Sequence, residues 1–133
     1  MQNLLTEDDF VNRAVGVPWV RWRSDWDAVD CFGTIVLWHR EVLGVDLGPV
    51  PQIDIADGFS LATGWVECGP EEGATCFMAW RHGAPTHCGI MLTGRRVLHC
   101  EGSEERAGSV RVTPLVAMRR VYGEIRFYRR AAC

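Results

Sequence analysis

Apolar positions in the first third of the chain recur at helical spacing, whereas after Gly73 they alternate or run in short blocks. Thr6 can cap a helix, Asp9 follows three residues later as in a capping box, and Leu5 and Phe10 hold the two positions of a hydrophobic staple. Phe10, Ala14 and Val17 continue the helical spacing until Gly16-Val17-Pro18 ends it. A loop dense in Trp, Arg and Asp, WVRWRSDWDAV, then leads to Asp30. Asp30 is a good N-cap for a second helix running to Leu43, with Gly44 just past its end. Residues 45 to 72 are broken by Pro49, Pro51, Gly58, Gly64, Gly69 and Pro70, leaving room for one short helix near Ile53 to Thr63. Five segments beyond Gly73 read as strands: ATCFMAW, THCGIML, RRVLHCEG, SVRVTPL and EIRFYRR. Helices first and an antiparallel sheet afterwards predict an α+β fold. No internal repeat divides the chain, and residues 1–133 are expected to form one domain.

Composition narrows the class. An apolar share of 47% with 23% charged residues fits an ordinary globular chain, and no stretch reaches the roughly 18 apolar residues of a membrane span. The opening MQNLLTEDDF lacks the basic-then-apolar pattern of a secretory signal, so synthesis and folding in a cytoplasm are expected. Six cysteines without a CxxC pair are then expected to stay reduced. Up to Gly94 there are 5 Arg against 13 acids, and from Arg95 onward 9 Arg against 4 acids. The basic end has no dense run and no nucleic-acid motif, so nucleic acid is not an expected partner.

Most buried cysteines only fill space. Cys31 differs in its predicted place, the first residue of the second helix, where free N–H groups and the macrodipole favour a thiolate. The acid beside it, Asp30, opposes that unless its carboxylate is turned away or paired. A base must come from four histidines. His39 is eight residues along the same helix, about 12 Å of rise away, and His82 sits in a turn-like RHGAP facing solvent. His87 and His99 lie on two strands joined by LTGRR. A two-residue turn at Gly94-Arg95 would put them on opposite faces. A three-residue loop, Thr93 to Arg95, would set His99 opposite Gly89 and beside His87, roughly 7–8 Å away across the diagonal. Two imidazoles so placed could act as base and orienter for a thiol. A zinc site is the rival, since "HC" occurs at 87–88 and at 99–100. Adjacent strand residues face opposite ways, however, and neither CxxC nor HExxH is present. Cys88, Ile90, Leu92, Leu98 and Cys100 read instead as one apolar face.

GVPWVRWRSDWDAVDCFGTIVLWHREVLGVDL resembles the nucleophile region of NlpC-type cell-wall cysteine peptidases, in which Asp-Cys-x-Gly opens a helix after a Pro-aromatic and a loop. THCGIMLTGRRVLHCEG resembles their second motif, His-x-Gly-Ile-x-x-Gly followed by a second His in a Val-Leu-His strand. Phe32 after the cysteine, HREVLGVDL and the terminal FYRR are most similar to small versions from phage tails and gene-transfer particles. The resemblance implies a papain-like NlpC fold, with the Cys-bearing helix packed on the antiparallel sheet. It implies Cys31 as nucleophile, His87 as general base, His99 as the orienting group and Asp30 as an acid that recognises a substrate amine, with no metal or cofactor. The implied activity is hydrolysis of a peptidoglycan stem-peptide bond involving D-glutamate and a diamino acid. The implied partners are tail-tip or hub proteins, and the implied place is a virion tail acting at the bacterial cell wall. Two positions depart from the pattern. Trp19 stands where Tyr is usual, offering an indole N–H in place of a hydroxyl, and Gly73-Ala74 replaces Gly-Asp. Trp19 could wall a substrate groove, whereas Trp22 and Trp26 are expected to pack the loop. The alternative expectation is a structural tail-tip or hub component that keeps the fold with little or no catalysis.

Overall fold

The computed structural model describes residues 3–53, 58 and 64–131. Helix α1 spans Glu7–Ala14, capped as expected by the Thr6 hydroxyl, which accepts from the Asp9 N–H at 3.1 Å. Helix α2 spans Cys31–Trp38 and continues into a π-helical turn, His39–Leu43, before Gly44 closes it in the left-handed conformation. The sequence predicts one uninterrupted α-helix here. The wider last turn accompanies the His39 ring, whose Nδ1–H donates to the Ile35 carbonyl at 2.7 Å alongside the backbone N–H of the same residue.

Among the described residues, six strands form one antiparallel sheet: β1 (Trp65–Cys68), β2 (Cys76–Arg81), β3 (Ala84–Leu92), β4 (Arg96–Cys100), β5 (Val110–Pro114) and β6 (Glu124–Arg130). Their spatial order is β1-β6-β2-β3-β4-β5. Five of them, β2 to β6, match the short apolar or alternating segments that the sequence marks as strands. β1 was hidden among the glycines and prolines of 45–72. Helix α3 (Leu115–Tyr122) carries little periodic signal as well, because only Leu115 and Met118 of its eight residues are buried. Of the helix expected near Ile53 to Thr63, all but Ile53 and Gly58 lie outside the described residues.

The sheet is covered on both faces, which is why β2 and β4 are buried almost continuously along their length. On one side Phe10, Ile35, Leu37 and Trp38 of the first two helices meet Cys76, Met78, Cys88, Ile90, Leu92, Leu98 and Cys100. On the other, Leu115 and Met118 of α3 meet Phe77, Val97 and Phe127. Successive residues such as 76 and 77, or 97 and 98, serve opposite layers. Burial on one face sets the register of β3 against β4: Ile90 opposes Leu98 and Leu92 opposes Arg96. The connection is therefore the three-residue loop Thr93 to Arg95, with Gly94 at φ 76° and Arg95 at φ 54°.

Candidate active site

The start of α2 is built around the carboxylate of Asp30. Its Oδ1 accepts from the Gly33 N–H at 2.7 Å and its Oδ2 from the Trp22 N–H at 2.8 Å. Its own N–H donates to the Arg23 carbonyl at 3.1 Å, and the Thr34 hydroxyl donates to the Asp30 carbonyl at 3.0 Å. One residue thus caps the helix and folds the preceding loop onto its first turn. The approach is close enough to exclude any side chain at Gly33, where a Cβ would sit 1.9 Å from the Arg23 oxygen. Asp-Cys-x-Gly is therefore a structural unit: a cap, a thiol at the first helical position, and a glycine where the loop crosses. Burial pushes the Asp30 carboxyl up to about 6 against the pull of its two N–H donors. With each oxygen holding one N–H, Asp30 has a structural duty beyond the helix cap that its position in the sequence predicts.

Cys31 is partly exposed at the helix N-terminus. Among the five described thiols, all free, it stands apart. Its pKa is held well below the ordinary thiol value. A hydrogen bond from the Cys88 thiol contributes most, followed against the cost of burial by the hydrogen bonding and charge of His87 and then by the Phe32 N–H. Burial drives Cys76 and Cys100 up to about 12, and it also raises Cys68. Cys88 is fully buried and raised by its bond to Cys31. Two adjacent residues of β3, His87 and Cys88, thus influence one thiol. Strand alternation predicts the second of them to be mere core filling, and the sequence carries no signal for its contact with Cys31.

His87 and His99 meet on the sheet. His87 Nε2 lies 2.9 Å from His99 Nδ1, with ring centroids 5.1 Å apart and planes at 77°. Gly89 makes this possible, since a Cβ there would stand 2.9 Å from His99 Cβ and 2.7 Å from the Phe77 ring. Burial brings the His99 pKa down to about 4, assisted by the neighbouring His87, so its imidazole is neutral near pH 7. Beyond the pair, His99 Nε2 is 2.9 Å from the Thr113 hydroxyl. The Tyr122 ring stacks on His87 at 4.7 Å and 13°. Neither Thr113 nor Tyr122 is marked by any sequence motif. The other two histidines lie elsewhere: His82 is exposed in the β2–β3 turn, and His39 is buried with its ring edge-on to Trp65.

A cavity of about 790 Å³ lies against the thiol, walled by Trp19, Arg21, Trp22, Asp30, Phe32 and Met78 among others. Trp19 is where a groove wall was expected. Trp22, expected as loop packing, lines the same cavity at a left-handed φ of 67°. Trp26 does pack, against Phe10 at 5.2 Å, with its indole N–H donating to Glu41 at 2.9 Å. Among the described residues no cluster of three or more His, Cys, Asp or Glu side chains could hold a metal ion.

No family model matches this chain, and no curated protein matches it significantly. Among solved structures, the crystal structure of the NlpC/p60 domain of the peptidoglycan hydrolase SagA is similar, with a TM-score of 0.58 at 19% identity. The match covers 90% of this chain and 93% of that one. At such identity the likeness is one of architecture: the chain has an NlpC/p60-like α+β fold.

Proposed function

We propose that this protein is a papain-like, NlpC-type cysteine peptidase that cleaves an amide bond of the peptidoglycan stem peptide. The observation that carries the reading is the singular state of Cys31. It is the first residue of α2, faces the cavity, and alone among the described thiols is drawn toward the thiolate, in part by a histidine whose Nε2 lies 2.9 Å from a second histidine. His87 Nε2 is taken by His99, so Nδ1 is the nitrogen left to receive the thiol proton. The Cys31 sulfur then attacks the carbonyl carbon, and the oxyanion that forms is met by the Cys31 backbone N–H. The proton held on His87 passes to the leaving amine as the C–N bond breaks, and water hydrolyses the resulting thioester. Asp30, on the cavity wall, is assigned the substrate amine. Arg21, on the same wall and paired outside it with Glu104 at 2.8 Å, is assigned a substrate carboxylate, in keeping with D-glutamate and a diamino acid as the residues recognised. Service on a phage or phage-like tail rests on the sequence resemblance of HREVLGVDL and FYRR. The test is release of soluble peptides from purified peptidoglycan by the intact chain. Cys31→Ala and His87→Ala are each expected to abolish it, and full activity in either would overturn the assignment.

A further inference from the structure

The two histidines form a proton chain whose direction is not fixed by their own geometry. A neutral imidazole carries one N–H and one bare nitrogen. In one direction the Thr113 hydroxyl donates to His99 Nε2, His99 Nδ1–H donates to His87 Nε2, and His87 holds its proton on Nδ1. That state has no lone pair to offer Cys31. In the other, His99 Nε2–H donates to Thr113, His87 Nε2–H donates to His99 Nδ1, and His87 Nδ1 is bare. The distances of 2.9 Å at both links fit either direction. Something outside the chain has to choose.

Glu101 is placed to choose. Its Oε1 lies 3.9 Å from His99 Nε2, and its Oε2 accepts from the Tyr122 O–H at 2.8 Å. The same Tyr122 ring stacks on His87, so one side chain fixes both the carboxylate and the plane of the proposed base. We infer that Glu101, anchored by Tyr122, is a positioning residue that selects the tautomer of the histidine pair, holding the proton on His99 Nε2 and thereby leaving His87 Nδ1 bare toward Cys31. A negative charge 3.9 Å from Nε2 stabilises a proton on that nitrogen and opposes a bare lone pair there, while the N–H itself is directed to the Thr113 hydroxyl. His99 is nearly inaccessible to water, which weakens screening of that interaction. Among the described residues, the charged group besides His99 within ion-pair distance of the carboxylate is Arg111, with Nη1 3.4 Å from Oε1. Its side chain is 63% exposed and that of Glu101 39%, so water weakens this ion pair more than it weakens the action of the carboxylate on His99, whose side chain is 1% exposed. The inference rests on the Cys31–His87 reading for its purpose, and not for its geometry.

The experiment is long-range proton–nitrogen NMR of histidine-labelled full chain, at a pH where both rings are neutral. Alkylation of Cys31 is followed in the same samples. The native protein is expected to show bare Nδ1 and protonated Nε2 on both His87 and His99. Glu101→Gln is expected to shift both rings toward the opposite tautomer and to slow Cys31 alkylation near pH 7 by about tenfold or more. Tyr122→Phe keeps the stacked ring and frees the carboxylate, so it is expected to shift both readouts in the same direction by less. Thr113→Val cannot donate to His99 and is expected to keep the native pattern. Unchanged tautomers in folded Glu101→Gln or Tyr122→Phe would overturn the inference, as would a reversed pattern in Thr113→Val. If the native chain releases nothing from peptidoglycan while the tautomers still follow Glu101, the proposed activity fails and the tautomer selection stands.

Discussion

His87 Nε2 and His99 Nδ1 stand 2.9 Å apart because the residue between them across the strands, Gly89, has no side chain. The two histidines are twelve positions apart in sequence and share a face only in the register set by the Thr93–Arg95 loop. Their contact is thus a joint product of one glycine and one loop length, and both can be perturbed without touching either ring.

Gly89→Ala is the direct perturbation. The added methyl would meet the Leu98 carbonyl at 2.6 Å, the Phe77 ring at 2.7 Å and His99 Cβ at 2.9 Å. Overpacking of this kind costs about 1–3 kcal/mol, read as a lower urea midpoint with an unchanged slope. Displacement of His99 is expected to raise the pH at which Cys31 becomes reactive in the same variant.

Gly33→Ala should destabilise despite alanine's better helix propensity, which alone would favour the variant by about 1 kcal/mol. The methyl would lie 1.9 Å from the Arg23 carbonyl and 2.9 Å from Asp30 Oδ1, so the loop carrying Trp22 must lift from the helix. A loss of about 3 kcal/mol in urea unfolding is expected. A stabilised variant would show that the loop does not pack on the first turn.

The thiols should separate by pH. Iodoacetamide labelling mapped by mass spectrometry is expected to give Cys31 a midpoint below about 8.5, the value of a free thiol. Cys68, raised by burial, should label only at higher pH. Cys88→Ala and His87→Ala are each expected to move the Cys31 midpoint upward, since both groups pull it down. If Cys88→Ala leaves the midpoint where it was, the Cys31–Cys88 hydrogen bond has no role in it.

Two buried groups push the pH dependence of stability in opposite directions. His99 titrates at about 4 in the fold against about 6.5 unfolded, so its contribution is present above 6.5 and is lost as pH falls toward 4. His39, also lowered by burial, acts in the same sense. Asp30 titrates at about 6 against 3.8 unfolded, so its contribution is present below 3.8 and is lost as pH rises through 6. Each of Asp30 and His99 amounts to about 3 kcal/mol over its window. Relative to the native chain, Asp30→Asn should therefore gain stability more steeply as pH rises from 4 to 6, and His99→Asn should gain it less steeply. Urea midpoints measured across that range check both slopes, and parallel curves for all three proteins would contradict the assignment.

Much of the architecture was legible from local rules. Thr6 and Asp30 cap their helices because a short oxygen-bearing side chain before an apolar run has one favourable use. Five strands follow from short apolar or alternating blocks bounded by turn residues, because a sheet packed against helices buries one or both of its faces. β1 and α3 were not legible. Trp65–Cys68 is held by pairing with β6, and α3 by two side chains set into the Phe77–Val97–Phe127 cluster, so distant partners decide both.

For the site, the sequence by itself determined which residue types were available and where the thiol would sit, because a cap, a helix start and a glycine are local features. It left two hairpin registers open, since period-two alternation is satisfied by either until a buried face selects one. Only the tertiary structure decided that His87 and His99 share a face and that Cys88 acts on the Cys31 thiol. It alone brought Thr113, Glu101 and Tyr122 around the imidazoles. Those contacts join residues on β3, β4, β5 and α3 and the chain just past β4, and no local pattern encodes a contact that forms only when separate elements pack.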